Sequence, residues 1–356
     1  MKAAPVLHAL ASHPGVRQTL VHTGQHYDAA MSEVFFRQLE MPEPDCNLGV
    51  GSGTHAQQTA AVMLAFEPVL LERKPDLVLV YGDVNSTVAA ALVCAKLGVP
   101  VGHVEAGLRS RDRSMPEEIN RLLTDQLSNL LFTPSADGDE NLTREGIDPA
   151  KIHLVGNVMI DTLVRLLPRA EQQFRANVPR PYALVTLHRP SNVDDLPWLR
   201  ELLMTLADLS GQLHVIFPVH PRTRQRLNGL GSLAAEARLR LLEPLPYFEF
   251  LALQRHAAMV ITDSGGIQEE TTFLGVPCLT VRENTERPIT ITLGTNQLVG
   301  RNLGRLRAAA AEIVAKGSAR ERKASGDTKR LPLWDGCAAE RIAKVITQGA
   351  ADRSKS

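Results

Sequence analysis

The string Thr262-Asp263-Ser264-Gly265-Gly266-Ile267-Gln268-Glu269-Glu270 lies between an apolar strand-like run and an apolar helical stretch, and its residue types suit the capture of an anion. Two glycines let a phosphate approach the backbone, and the helix start offers unpaired amide donors. The dipole alone favours an anion there by ~0.3 to 2 kcal/mol. Glu270, about one turn in, is placed to accept hydrogen bonds from a ribose diol. The same string also fits an ordinary Ser-capped helix with glycines for packing, and the residues alone leave both readings open.

Three carboxylates stand out in the first half. Asp83 and Glu105 end apolar runs, and Glu117 lies in Ser114-Met115-Pro116-Glu117-Glu118. Carboxylates at the ends of neighbouring strands point the same way, and clustered acids raise one another's pKa, which suits proton transfer. Against this, Asp83 fits a turn cap, and Ser114 with Glu117 matches a capping box with Pro116 in the first helical turn. Basic and imidazole groups follow other apolar runs: His188-Arg189, His220 with Arg222, and Arg282 with Arg287. On the edge of one sheet they would form a pocket for a diphosphate.

Two other patterns carry less. Gly49-Val50-Gly51-Ser52-Gly53 lacks the spacing of a dinucleotide loop and follows no credible strand, so it reads as a loop. His22 and His26 are four apart, but Gly24 between them argues against a helix and no third ligand is near, so no metal site is expected.

These residues need strands to hold them. Leu77 to Tyr81, Val99 to Val104, Leu130 to Thr133 and Ile152 to Val155 are short apolar runs alternating with helical stretches, one of them starting at an Asn85 cap and reaching Leu97. Such alternation predicts a parallel sheet covered on both faces. The pattern restarts beyond a linker from Pro168 to Pro181, with strands expected at Tyr182 to Leu187, Leu213 to Val219, Met259 to Thr262 and Pro277 to Val281. The expected division is residues 1–165, 166–337 and a C-terminal helix and tail at 338–356 that packs back on the first domain. At 356 residues the chain has room for two such cores.

Lys plus Arg and Asp plus Glu both number 39, so no global field draws nucleic acid or anionic lipid, and phosphate recognition has to be local. No apolar run is long enough for a membrane span and no signal-peptide pattern opens the chain. Four scattered cysteines without a CxxC pair read as reduced thiols, and a cytoplasmic location is expected.

Four segments together resemble a known family: HVEAGLR from His103, PEEINR from Pro116, DSGGIQEE from Asp263 and TERP from Thr285. Their order and spacing are similar to those of the non-hydrolysing UDP-N-acetylglucosamine (UDP-GlcNAc) 2-epimerases over nearly the whole chain. The resemblance implies an α/β fold of two Rossmann-like, doubly wound parallel-sheet domains facing a central cleft, glycosyltransferase-B-like, and a homodimer with no cofactor. It assigns Asp83, Glu105, Glu117 and His188 to catalysis, and Lys2, Arg121, His220, Phe250, Ser264, Gly265, Gly266, Glu270 and Arg287 to the substrate, with Phe250 near the uracil. Relatives begin with a strand and a Gly-x-Arg-Pro-Glu loop leading into a lysine and Ala-Pro. Here Lys2 and Pro5 match the end of that pattern, which implies that about a dozen residues, one strand and its turn, are lacking. A second, regulatory UDP-GlcNAc site around Gln25-His26 is left open.

The implied reaction interconverts UDP-GlcNAc and UDP-N-acetylmannosamine (UDP-ManNAc). The hydrogen on C2 of the sugar is not adjacent to a carbonyl, so UDP has to leave C1 first; the developing oxocarbenium then makes that hydrogen acidic. Proton removal gives 2-acetamidoglucal, and re-addition of UDP with protonation from the other face completes the change. A glycosyltransferase of the same fold, a hydrolysing 2-epimerase releasing ManNAc and UDP, and a non-catalytic UDP-sugar sensor are the alternatives.

Overall fold

The computed structural model describes residues 1–24, 36, 38–173, 178–219, 223–224, 226, 239–317 and 331–353. The chain divides into two compact units. Unit 1 comprises Met1–Thr162 with Pro332–Ser356, and unit 2 comprises Leu163–Leu331.

Unit 1 runs through α1 (Ala3–Ala11), β1 (Val21–His22), β2 (Cys46–Asn47), α2 (His55–Arg73), β3 (Val78–Tyr81), α3 (Asn85–Leu97) and β4 (Val101–Val104). It continues with α4 (Pro116–Leu127), β5 (Leu130–Thr133), α5 (Ala136–Arg144), β6 (Ile152–Leu154) and α6 (Val158–Gln173), within which the chain passes into unit 2. Strands β3, β4, β5 and β6 form a parallel sheet in chain order, with Tyr81 opposite Val104, and β1 and β2 form a separate parallel pair. Strand side chains alternate between faces. Val80 and Val101 therefore join Phe66 and Leu70 of α2 and Val93 of α3 in one core. Val104 and Phe132 join Val6 and Leu10 of α1 and Val158 of α6 in the other.

Unit 2 contains β7 (Tyr182–Thr186), α7 (Pro190–Val193), α8 (Leu196–Leu209), β8 (His214–Pro218), β9 (Leu239–Leu242), α9 (Tyr247–His256) and β10 (Met259–Thr262). Then come α10 (Gly265–Leu274), β11 (Cys278–Thr280), α11 (Ile289–Thr292), β12 (Asn296–Leu298) and α12 (Leu303–Ala315). The parallel sheet has the order β12-β11-β10-β7-β8-β9. From β7 the winding goes one way to β9 and the other way to β12, so β7 and β10 flank the switch point where open sheets of this kind bind ligands. One face buries Val185, Phe217 and Ile261 against Trp198, Leu202 and Leu206 of α8 and Leu306 of α12. Each such side chain contributes roughly 1.5 to 3 kcal/mol on burial.

The last helix, α13 (Ala338–Arg353), belongs to unit 1, where Ile342 and Ala343 enter the α1 core. Asp161 receives the Ala338 and Ala339 N–H groups at its start, at 3.1 and 2.7 Å. No described helix is long and apolar enough to cross a membrane.

Candidate active site

In unit 1 the polar groups gather at the carboxyl ends of β3 and β4. Gly82, at φ +67°, turns the chain out of β3 and presents Asp83, while Glu105 follows β4 with φ +73°. A positive φ on a residue with a side chain is strained, and two bonds hold it here: the Glu105 and Ala106 N–H groups both donate to the Phe132 carbonyl, at 3.1 and 3.0 Å. The buried Glu105 carboxylate is paired with the Lys2 ammonium. Asp83 receives Arg121 Nη1 at 2.5 Å, and the Asn120 amide donates to the Asp83 carbonyl at 2.9 Å. Arg121 is 1% exposed and its other nitrogens bond Glu118, at 3.0 and 2.7 Å.

Glu117 occupies the first turn of α4, about one turn before Asn120 and Arg121, and has no hydrogen-bond or ion-pair partner among the described residues. The predicted capping box does not form. Met115 holds the N-cap position without a side-chain bond, and the Ser114 hydroxyl donates to Asp112 at 2.6 Å. Glu118, the neighbouring acid, performs the local structural task instead, accepting from the Ser110 and Arg111 N–H groups at 2.9 and 2.8 Å. Burial opposes its charge, but these donors and Arg121 hold its carboxyl below the usual value.

Asn85 is the first residue of α3 rather than its cap, a position held by Val84, and its side-chain amide turns to Gln58 at 2.7 Å. Asp83 and Glu105 each pair with a cation, Arg121 and Lys2 respectively.

In unit 2, Ser264 stands at the N-cap of α10 with no side-chain capping bond, which leaves the helix start open to a ligand. Gly265 lies against the Arg287 guanidinium so closely that a Cβ there would collide with it. Arg287 Nε is 2.8 Å from Glu269 Oε1. Arg282 and Arg189 both reach Glu286, at 2.9 and 3.4 Å. Burial works against the Glu286 charge, yet Arg287 and Arg282 hold its carboxyl down to about 2.

His188, after β7, has Nδ1 2.9 Å from Asp263 Oδ1, after β10, with the His188 side chain 56% exposed and Asp263 fully buried. The His188 and Arg189 N–H groups and the Asn192 amide also donate to Asp263. Against the burial penalty, the His188, Asn192 and Arg189 bonds hold this carboxyl below its ordinary value.

Glu270 is buried on α10 and accepts the Tyr247 hydroxyl at 2.8 Å. Burial pushes it up to about 7, with the Tyr247 bond and the nearby Gln254 amide acting in the opposite sense. Its Oε2 has no hydrogen-bond partner among the described residues. Phe250 is half-buried on α9, three residues beyond Tyr247. Ser264, Gly265, Gly266, Glu270, His188 and Arg287 thus belong to one sheet edge, and Lys2, Asp83, Glu105, Glu117 and Arg121 to another. His220, Arg222, Gln25 and His26 lie outside the described residues. His22 is in β1 with its ring edge-on to Phe36, and no group of metal-ligating side chains occurs among the described residues.

Not foreseen from the sequence was a polar chain behind the unit 1 edge, in which the buried His103, Asp125 and Arg109 lead out to the exposed Glu145. A histidine inside the otherwise apolar Val101-Gly102-His103-Val104 was the available signal.

The sequence model of the family described as UDP-N-acetylglucosamine 2-epimerase matches residues 8–347. A UDP-N-acetylglucosamine 2-epimerase of Methanocaldococcus jannaschii is 41% identical over 361 residues, covering 98% of this chain and 96% of that protein. A UDP-2,3-diacetamido-2,3-dideoxy-D-glucuronate 2-epimerase of Pseudomonas aeruginosa is 43% identical over 303 residues, covering 84% of this chain and 85% of that protein. The crystal structure of the M. jannaschii enzyme in complex with UDP-GlcNAc and UDP matches with a TM-score of 0.86 at 41% identity, covering 98% of this chain and 96% of that one. The two parallel-sheet α/β units are of the glycosyltransferase-B-like kind expected from the sequence.

Proposed function

Since the chain belongs to the UDP-N-acetylglucosamine 2-epimerase family and is an isomerase, we propose that it inverts C2 of UDP-GlcNAc by eliminating UDP and adding it back, without net hydrolysis. The observation that carries this reading is the convergence of Asp83, Glu105 and Glu117 on one edge of unit 1. Asp83 and Glu105 follow adjacent, hydrogen-bonded strands, and Arg121, the partner of Asp83, is one turn from Glu117 on α4.

Unit 2 supplies the diphosphate site. The open start of α10 and the arginines around Glu286 favour the charge that grows on UDP as the C1–O bond breaks. Glu270 accepts the ribose hydroxyls, and Phe250 lies beside the uracil. Unit 1 supplies the proton transfers: one carboxylate removes the C2 proton and another returns one to the opposite face. Each transfer is worth ~10² to 10⁴ in rate. Asp83 and Glu105 are held in place by their ion pairs with Arg121 and Lys2. A quenched-flow reaction should show UDP and 2-acetamidoglucal appearing before UDP-ManNAc; accumulation of free ManNAc instead would favour the hydrolysing scheme.

The P. aeruginosa relative favours a second reading in which the substrate carries a C6 carboxylate and a 3-acetamido group. Comparing kcat/KM for the two UDP-sugars decides between them. We also propose a cytoplasmic homodimer. Leu64 and Leu71 on α2 and Ile119 and Leu123 on α4, helices that both pack on α3, are exposed apolar side chains suited to a second copy. All four cysteines are free, as in a reducing compartment. A monomeric mass by light scattering would rule the dimer out.

A further inference from the structure

One buried histidine connects the three elements that carry the unit 1 carboxylates. His103 is fully buried on β4, two residues before Glu105. Its Nε2 is 2.8 Å from the carbonyl oxygen of Gly82, the residue before Asp83. Its Nδ1 is 2.6 Å from Asp125 Oδ1 on α4, about two turns beyond Glu117. The other Asp125 oxygen takes Arg109 Nη1 at 2.7 Å and the Gly107 N–H at 3.2 Å. Arg109 in turn makes two parallel bonds to Glu145, at 2.8 and 2.6 Å.

The chemistry of the two partners fixes the role of the ring. A carbonyl oxygen only accepts. Asp125 accepts as well, because its other oxygen takes the Arg109 guanidinium and the Gly107 N–H, and the Arg109 charge works against the burial penalty on the carboxylate. Both bonds therefore form only when both ring nitrogens carry hydrogen.

We propose that His103 is a positioning residue which, donating from both ring nitrogens, fastens the Gly82-Asp83 turn and α4 to β4 and so sets the spacing of Asp83, Glu105 and Glu117. It touches no substrate and acts through the backbone of one carboxylate and the helix of another. The role rests on the reading of those three acids as the proton-transfer groups. Misplacing reacting groups by about 1 Å can cost ~10²-fold in rate, whereas nucleotide binding by unit 2 does not depend on this spacing.

The test has two arms. Neutron diffraction from wild-type crystals grown in D2O should show deuterium on both His103 Nδ1 and Nε2; a ring with deuterium on only one overturns the proposal, whether or not any variant folds. In His103→Gln and Asp125→Asn, kcat should fall ~10²-fold while the KM for UDP-GlcNAc and the Kd for UDP stay near wild-type. An unchanged kcat overturns the proposal, and so does a parallel loss of UDP affinity, which marks general disruption. Absence of epimerisation by the wild type would sink the functional reading alone, since the deuterium positions are read independently of activity.

Discussion

His188 and Asp263 join the ends of β7 and β10 across the point where the unit 2 sheet reverses its winding, with Nδ1 2.9 Å from Oδ1. Asp263 accepts from this ring, from the His188 and Arg189 N–H groups and from Asn192, so it sets the backbone on both sides of the switch point. Asp263→Asn turns an amide NH2 towards some of those donors. We expect a loss of about 1 to 3 kcal/mol in stability, the cost of leaving a buried donor unpaired, together with weaker UDP binding. Chemical denaturation and calorimetric titration with UDP check both; wild-type values would show that the carboxylate is dispensable.

Glu105→Gln and Glu117→Gln each keep size and remove a proton acceptor. Turnover should fall ~10² to 10⁴-fold, with the UDP Kd largely kept because Ser264, Glu270 and Arg287 are untouched. Near-normal turnover in both variants would remove these residues from the proton-transfer scheme.

Gly265→Ala places a methyl group where the Arg287 guanidinium lies. The arginine has to shift, so UDP affinity should drop at least about tenfold, equal to about 1.4 kcal/mol, while the fold is retained. Titration with UDP measures it, and unaltered affinity would show that Arg287 does not contribute where it stands.

Glu270 gives the account a pH signature. Burial raises its carboxyl from 4.5 to about 7, so between those values the folded chain holds a proton that the unfolded chain has released. The stability from this group is full at low pH and is lost as the pH rises through about 7. Glu270→Gln should flatten that part of the stability profile, read by denaturation at a series of pH values. UDP affinity in the wild type should rise over the same interval, as the ionised carboxylate becomes able to accept both ribose hydroxyls. An identical pH slope in the variant would assign the effect elsewhere.

Elements with one dominant local signal were legible in the sequence. Leu130–Thr133 and Met259–Thr262 are all-apolar or nearly so, and their observed bounds match the expected ones, as does the end of α3 at Leu97. The two-residue strands at Val21 and Cys46, and β9 and β12, are too short or too mixed for periodicity to reveal. The site was legible as strand-end polar groups, but its pairings were not. Lys2 and Glu105 are 103 residues apart, and no local pattern joins them. Ser114 and Glu117 show the converse: their spacing fits a capping box, yet Asp112 captures the serine and Glu118 takes the nearby N–H groups. Local spacing lists the available partners, and the tertiary fold selects among them.

The most direct measurement is the fate of the C2 hydrogen when the protein turns over UDP-GlcNAc in D2O, followed by mass spectrometry and NMR. One deuterium is expected at C2 of UDP-ManNAc, delivered when UDP is added back. UDP-ManNAc with protium at C2 after full conversion, or deuterium found only in free ManNAc, would contradict it.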